Sequence, residues 1–107
     1  MKIRGLDWDD DDDPAGNVQH IRRHGVTPSE VAEVLEGAPS FFVVEPRSEG
    51  RNPYYVAVGY TAEGRLLEVW GVLYLSPPME NYWHTATAMD ARPRWGREYQ
   101  RMKGMRE

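Results

Sequence analysis

The feature that most constrains this chain is a change of hydrophobic period at Ser40. Before it, Val18 and Ile21, then Val31, Val34 and Leu35, recur at three- and four-residue spacing, the stripe of short amphipathic helices. After it, Phe41 to Glu45, Tyr54 to Tyr60, Arg65 to Tyr74 and Tyr82 to Met89 are rich in β-branched and aromatic residues. Such residues suit a pleated, half-buried surface. A chain with helices first and successive strands afterwards is α+β, because adjacent strands without a crossover helix pair antiparallel.

Local punctuation sharpens this outline. Asp9 to Asp13 is an acidic run ending at Pro14. Carboxylates before a proline suit the positive start of a helix, whereas a calcium loop needs spaced ligands and a glycine turn. The first helix is therefore expected over about Pro14 to His24, stopping at Gly25. Thr27-Pro28-Ser29-Glu30 is a capping box with proline at the first helical position, and Gly37 with Pro39 ends the helix it opens. Thr61-Ala62-Glu63-Gly64 reads as a tight hairpin turn. After the loop Leu75 to Asn81 and a fourth strand at Tyr82 to Met89, a last helix is expected from Pro93 to about Lys103, ending at Gly104. Met1 to Trp8 alternates weakly and suits a short edge strand. The expected architecture is α+β: two short N-terminal helices, a four- to five-stranded mainly antiparallel sheet and a C-terminal helix.

A length of 107 residues suits one core and one domain. The absence of cysteine excludes a disulfide scaffold, a zinc–thiolate site and a thiol nucleophile. No stretch approaches ~18 consecutive apolar residues and the N-terminus turns acidic by Asp7, so no membrane span or signal peptide is read and a cytoplasmic protein is expected. The net charge of −4 is unevenly spread. Residues 1–16 hold six Asp against Lys2 and Arg4, while residues 91–107 hold five Arg and Lys103 against Glu98 and Glu107. A basic end on an acidic body keeps nucleic acid open as a partner, beside the plainer reading of two solvated surfaces.

The order of parts resembles a known family. Trp8-Asp9, Asn17 and His20-Ile21-Arg22-Arg23-His24-Gly25-Val26, followed by the capped helix, are similar to the opening of BrnT-type toxins of the RelE/ParE superfamily. Tyr55 to Gly59, a turn, and Gly64-Arg65 resemble that family's central strand and hairpin; Thr87-Ala88 and a helix containing Tyr99 resemble its end. The resemblance implies a RelE-like fold and the toxin component of a type II toxin–antitoxin system. It implies an endoribonuclease acting on messenger RNA, free or on the ribosome, with no cofactor or metal and neutralised by a cognate antitoxin protein. Cleavage beside a 2′-hydroxyl needs a base, an acid for the leaving oxygen and fixed cations around the phosphate.

The chain departs from the family pattern at the cations. His84, Met89 and Tyr54 stand where similar proteins carry arginine, and Trp95-Gly96 stands where they carry Glu-Arg. Arg65 and Tyr99 match the pattern, and Arg97 lies one position from an expected arginine. His84 is the best acid/base candidate because imidazole changes charge near neutrality. These four are the catalytic candidates, with a weakened cation set. Three have a plainer alternative: an exposed strand-end charge for Arg65, a sheet histidine for His84, an aromatic anchor for Tyr99. His20 and His24 share a helical face at a spacing also used for metals, but no third ligand is spaced to join them, so surface or capping histidines are expected. Trp70, Tyr74, Trp83 and Trp95 suit either base stacking or core. Three readings stand: a ribonuclease toxin, a catalytically inactive relative that binds an antitoxin or forms a homo-oligomer, and an unrelated small-molecule or metal-binding domain.

Overall fold

In a computed structural model that describes residues 1–45 and 51–106, eight elements follow in order. They are β1 (Gly5–Asp7), α1 (Asn17–Arg23), α2 (Pro28–Glu36), β2 (Ser40–Glu45), β3 (Tyr54–Tyr60), β4 (Leu66–Leu73), β5 (Tyr82–Asp90) and α3 (Pro93–Arg106). The strands form one sheet in the order β1-β5-β4-β3-β2. Every neighbouring pair is antiparallel except β1 with β5, which is parallel. The fold is α+β, as the change of period at Ser40 implies.

Alternation along the strands divides the core into two layers. Ala57, Leu67, Val69, Trp83 and Ala88 face α1 and α2, where Ile21, Val26, Val31 and Val34 are fully buried. Val56 and Val58 face the other way, against Trp95 and Tyr99 of α3. Trp83 is the largest fully buried side chain, and its indole N–H donates to Thr85 Oγ1 at 3.0 Å, so the ring is buried without an unsatisfied donor. Gly71 makes room for it: a Cβ there would lie 2.7 Å from the Trp83 ring.

The capping box is present in both directions. Thr27 Oγ1 accepts from the Glu30 amide at 3.2 Å, and Glu30 Oε1 accepts from the Thr27 amide at 3.0 Å. Gly25 (φ 74°) and Gly64 (φ 85°) take the left-handed conformations that end α1 and close the β3–β4 hairpin. At that hairpin the Thr61 amide donates to the Arg65 carbonyl at 2.8 Å.

Two boundaries differ from expectation. Helix α1 begins at Asn17 rather than Pro14, because Asp9 and Asn17 clip the preceding loop shut. The Asp9 amide donates to Asn17 Oδ1 at 3.0 Å and the Asn17 amide to Asp9 Oδ2 at 2.9 Å. Gly16 is held extended as the cap, leaving Pro14 in the turn before it. At the other end, α3 runs past Gly104 to Arg106. Gly104 is exposed, a Cβ added there would meet nothing within 4 Å, and the residue stays helical instead of taking the left-handed turn that a glycine stop requires.

Candidate functional site

The first turn of α3 is tied to the sheet through a buried carboxylate. Glu68 is fully buried and would be costly alone. It accepts from the Arg92 amide at 3.0 Å, from Arg92 Nη2 at 2.6 Å and from the Trp70 indole N–H at 3.2 Å. Arg92 is held above its ordinary range, first by the hydrogen bond to Glu68 and then by that charge. This ion pair is structural; it fixes where α3 leaves β5.

Arg65 is also engaged. Its Nη1 donates to the Gly25 carbonyl at 2.7 Å and to Glu30 Oε2 at 3.1 Å, and its Nε to Asp90 Oδ1 at 2.6 Å. It joins the end of α1, the start of α2 and the end of β5, with its charge compensated twice. Tyr99 is buried beneath the Tyr60 ring, centroids 5.5 Å apart, with Lys103 Nζ 5.5 Å from its own centroid. Arg97 is exposed on α3. Leu66, next to Arg65, pairs with Tyr60, whereas His84 pairs with Val72. By register, Arg65 and His84 are separated by about 20 Å of strand. The four candidates therefore do not form one constellation: Arg65 and Tyr99 belong to one end of the sheet and His84 to the other.

At that other end the parallel strand β1 places Asp7 directly opposite His84. Asp7 Oδ2 lies 3.0 Å from His84 Nδ1 and accepts the Tyr74 hydroxyl at 3.0 Å. Because a carboxylate only accepts, Nδ1 carries the proton and Nε2 is left as the exchangeable nitrogen. Burial, then the hydrogen bond to Asp7, hold the Tyr74 hydroxyl above its ordinary 10.0. His84 is partly exposed and lines an open cleft of about 240 Å³ between α1 and β5, with Asp9, His20 and Arg23 among its walls.

The cleft opens where β1 leaves the sheet and the chain turns to α1. Asn17 closes its floor, its side-chain amide donating to the Thr85 carbonyl at 2.9 Å. His20 Nε2 lies 3.0 Å from Thr87 Oγ1, and its ring meets His24 edge-on at 5.2 Å. His20 and His24 thus behave as packed rings rather than paired ligands. Among the described residues, no group of three or more His, Asp or Glu is gathered to hold a metal ion. Among them, too, no helix is long and apolar enough to cross a membrane.

Sequence reasoning selected His84, read Tyr74 as a stacking or core aromatic and His20 as a surface or capping histidine, and missed Asp7. The alternation of Met1 to Trp8 hinted that Asp7 sits on a strand. Its parallel pairing with a strand some eighty residues later has no local signature. No known protein family, curated protein or solved structure matches the chain.

Proposed function

We propose that this protein is a metal-independent endoribonuclease of the RelE-like toxin class, slowed by its reduced cation set and governed by His84. The observation that carries the reading is the Asp7–His84 pair at the mouth of a polar cleft. A carboxylate on one imidazole nitrogen orients the ring and stabilises the imidazolium formed when the other nitrogen takes a proton. That is the apparatus needed to draw the proton from a ribose 2′-hydroxyl. The order of helices, antiparallel sheet and closing helix agrees with the architecture the family resemblance implies. On this reading the partners are messenger RNA and a cognate antitoxin.

A second reading rests on a specific observation. Arg65 is neutralised by Glu30 and Asp90, and Tyr99 is buried against Tyr60, so two residues expected to serve catalysis hold the fold instead. This favours an inactive relative that keeps antitoxin binding. Induced expression separates the two, with growth and RNA integrity followed for the parent, His84→Ala and Arg65→Ala. The nuclease reading expects mild arrest with RNA breakdown that is lost in His84→Ala. Intact RNA with every variant supports the binding-only reading, and strong arrest untouched by His84→Ala rejects His84 as the centre.

A further inference from the structure

His84 and His20 reach the same cleft from different walls, β5 and α1. Each has one ring nitrogen engaged: His84 Nδ1 with Asp7 and His20 Nε2 with Thr87 Oγ1, both at 3.0 Å. Each therefore keeps one nitrogen for proton exchange, Nε2 on His84 and Nδ1 on His20. Three residues of β5, about 10 Å of strand, separate His84 from Thr87, on whose hydroxyl His20 rests. A register shift between their two levels contracts that interval. A phosphate hydrogen-bonded to an imidazole on either side, at about 2.8 Å per bond, spans roughly 8 Å, the same order as that interval.

Resting on the nuclease reading above, we propose that the cleft between α1 and β5 seats one phosphodiester of single-stranded RNA between these two imidazoles, with His84 as base and His20 as acid. His84 Nε2 takes the 2′-hydroxyl proton while the 2′-oxygen bonds to phosphorus. The bond from phosphorus to the 5′-oxygen breaks, and that oxygen takes a proton from the His20 imidazolium. The products are a 2′,3′-cyclic phosphate and a 5′-hydroxyl end, and solvent returns the two rings to their starting states. No redox partner or metal enters the balance. Arg23, on the same wall as His20, supplies the cation; one of its N–H groups is held by the Pro14 carbonyl at 2.7 Å, which fixes the guanidinium at the rim. The titratable and charged groups around the two rings are Asp7, Asp9, Tyr74, Arg23 and His24. Asp9 Oδ2 is occupied by the Asn17 amide at 2.9 Å.

The test uses the purified chain, a chelator and a fluorescent single-stranded RNA oligonucleotide, with its fully 2′-deoxy counterpart as control. The expected result is cleavage of the RNA alone, a cyclic phosphate product and a bell-shaped pH dependence. His84→Ala should remove the limb that rises with pH, and His20→Ala the limb that falls, each slowing cleavage by about a hundredfold or more. His20→Gln keeps a donor for Thr87 but cannot transfer the proton. A folded His20→Gln protein, judged by circular dichroism and melting, should be equally slow. If His20→Ala or His20→Gln cleaves at the parent rate with both limbs intact, the paired mechanism is overturned while the nuclease reading survives. If the parent chain cleaves no RNA, both fall.

Discussion

At the scale of single residues, the proposed base His84 rests on an aspartate, Asp7, which also holds the Tyr74 hydroxyl. On the proposed reading Asp7 acts through His84, holding the proton on Nδ1 and leaving Nε2 for proton exchange. Asp7→Asn preserves size but presents an amide that can donate as well as accept, releasing the tautomer. The expected outcome is a fall in kcat of about a hundredfold or more with KM little changed, because binding of the RNA is not what Asp7 supports. An equal loss spread over kcat and KM would show that Asp7 merely holds the strand. Tyr74 bonds to the same carboxylate and supplies a second prediction. Its folded-state titration is raised by burial and by Asp7, and Tyr54 is raised by burial and Glu45. The folded chain therefore holds these phenolic protons more tightly than the unfolded chain. Stability is fully present below the ordinary value of 10.0 and declines as pH rises above it. Urea melts between about pH 8 and pH 11 should show that decline setting in above 10.0, and Tyr74→Phe should make it shallower, leaving the part due to Tyr54. An unchanged slope in Tyr74→Phe would mean that its hydroxyl is not held in solution.

At the scale of elements, α3 depends on one buried charge. Glu68 meets the Arg92 side chain and amide just ahead of the helix, while Phe42 and Trp70 pack against Trp95 with ring centroids 5.5 and 5.6 Å apart. Glu68→Gln keeps the volume but turns an acceptor toward Arg92 into a donor. It should cost about 1–3 kcal/mol in a urea melt, with most of the near-ultraviolet change coming from Trp95. Gly71→Ala should be at least as damaging, because its Cβ would lie 2.5 Å from the His84 carbonyl oxygen and 2.7 Å from the Trp83 ring. These elements also show where sequence reading succeeds. The capping box around Thr27 and Glu30, the Gly64 turn and the strand Tyr54–Tyr60 rest on local chemistry, and each was legible residue by residue. The start of α1 was not, because it is set by Asp9 closing a loop onto Asn17. The candidate site was half legible. His84 stands out as an imidazole on a strand, but its partner arrives by a parallel pairing that local chemistry does not encode. Arg65 looked like a phosphate ligand because the two carboxylates that neutralise it lie 35 and 25 residues away.

At the scale of the whole molecule, the proposed nuclease reading turns on which surface would meet RNA. The chain carries −4 overall, with Asp9 on the cleft wall and the basic residues Arg94 and Arg97 exposed on α3. Arg94 lies over the Trp95 ring at 4.6 Å, and both arginines sit on an element whose inner side covers the sheet. If the strand of RNA tracked along α3, several phosphates would be neutralised and affinity would collapse with salt. If it is held chiefly at the cleft, His20, Arg23 and His84 engage one or two phosphates while the acidic body repels the rest. For a single strand, the logarithm of the observed binding constant falls against that of salt by about 0.7 per phosphate neutralised. The cleft therefore predicts a slope of magnitude about 0.7–1.4, offset in part because salt also screens the repulsion from the Asp run. Measuring the affinity of a non-cleavable 2′-deoxy oligonucleotide from 50 to 300 mM salt, an interval of roughly the screening range that matters, gives the slope directly. Arg94→Gln with Arg97→Gln should leave it unchanged, and Arg23→Gln should lower it by about 0.7. A slope several times steeper, abolished by the two α3 substitutions, would move the RNA from the cleft to the helix and take His84 out of the path of the strand.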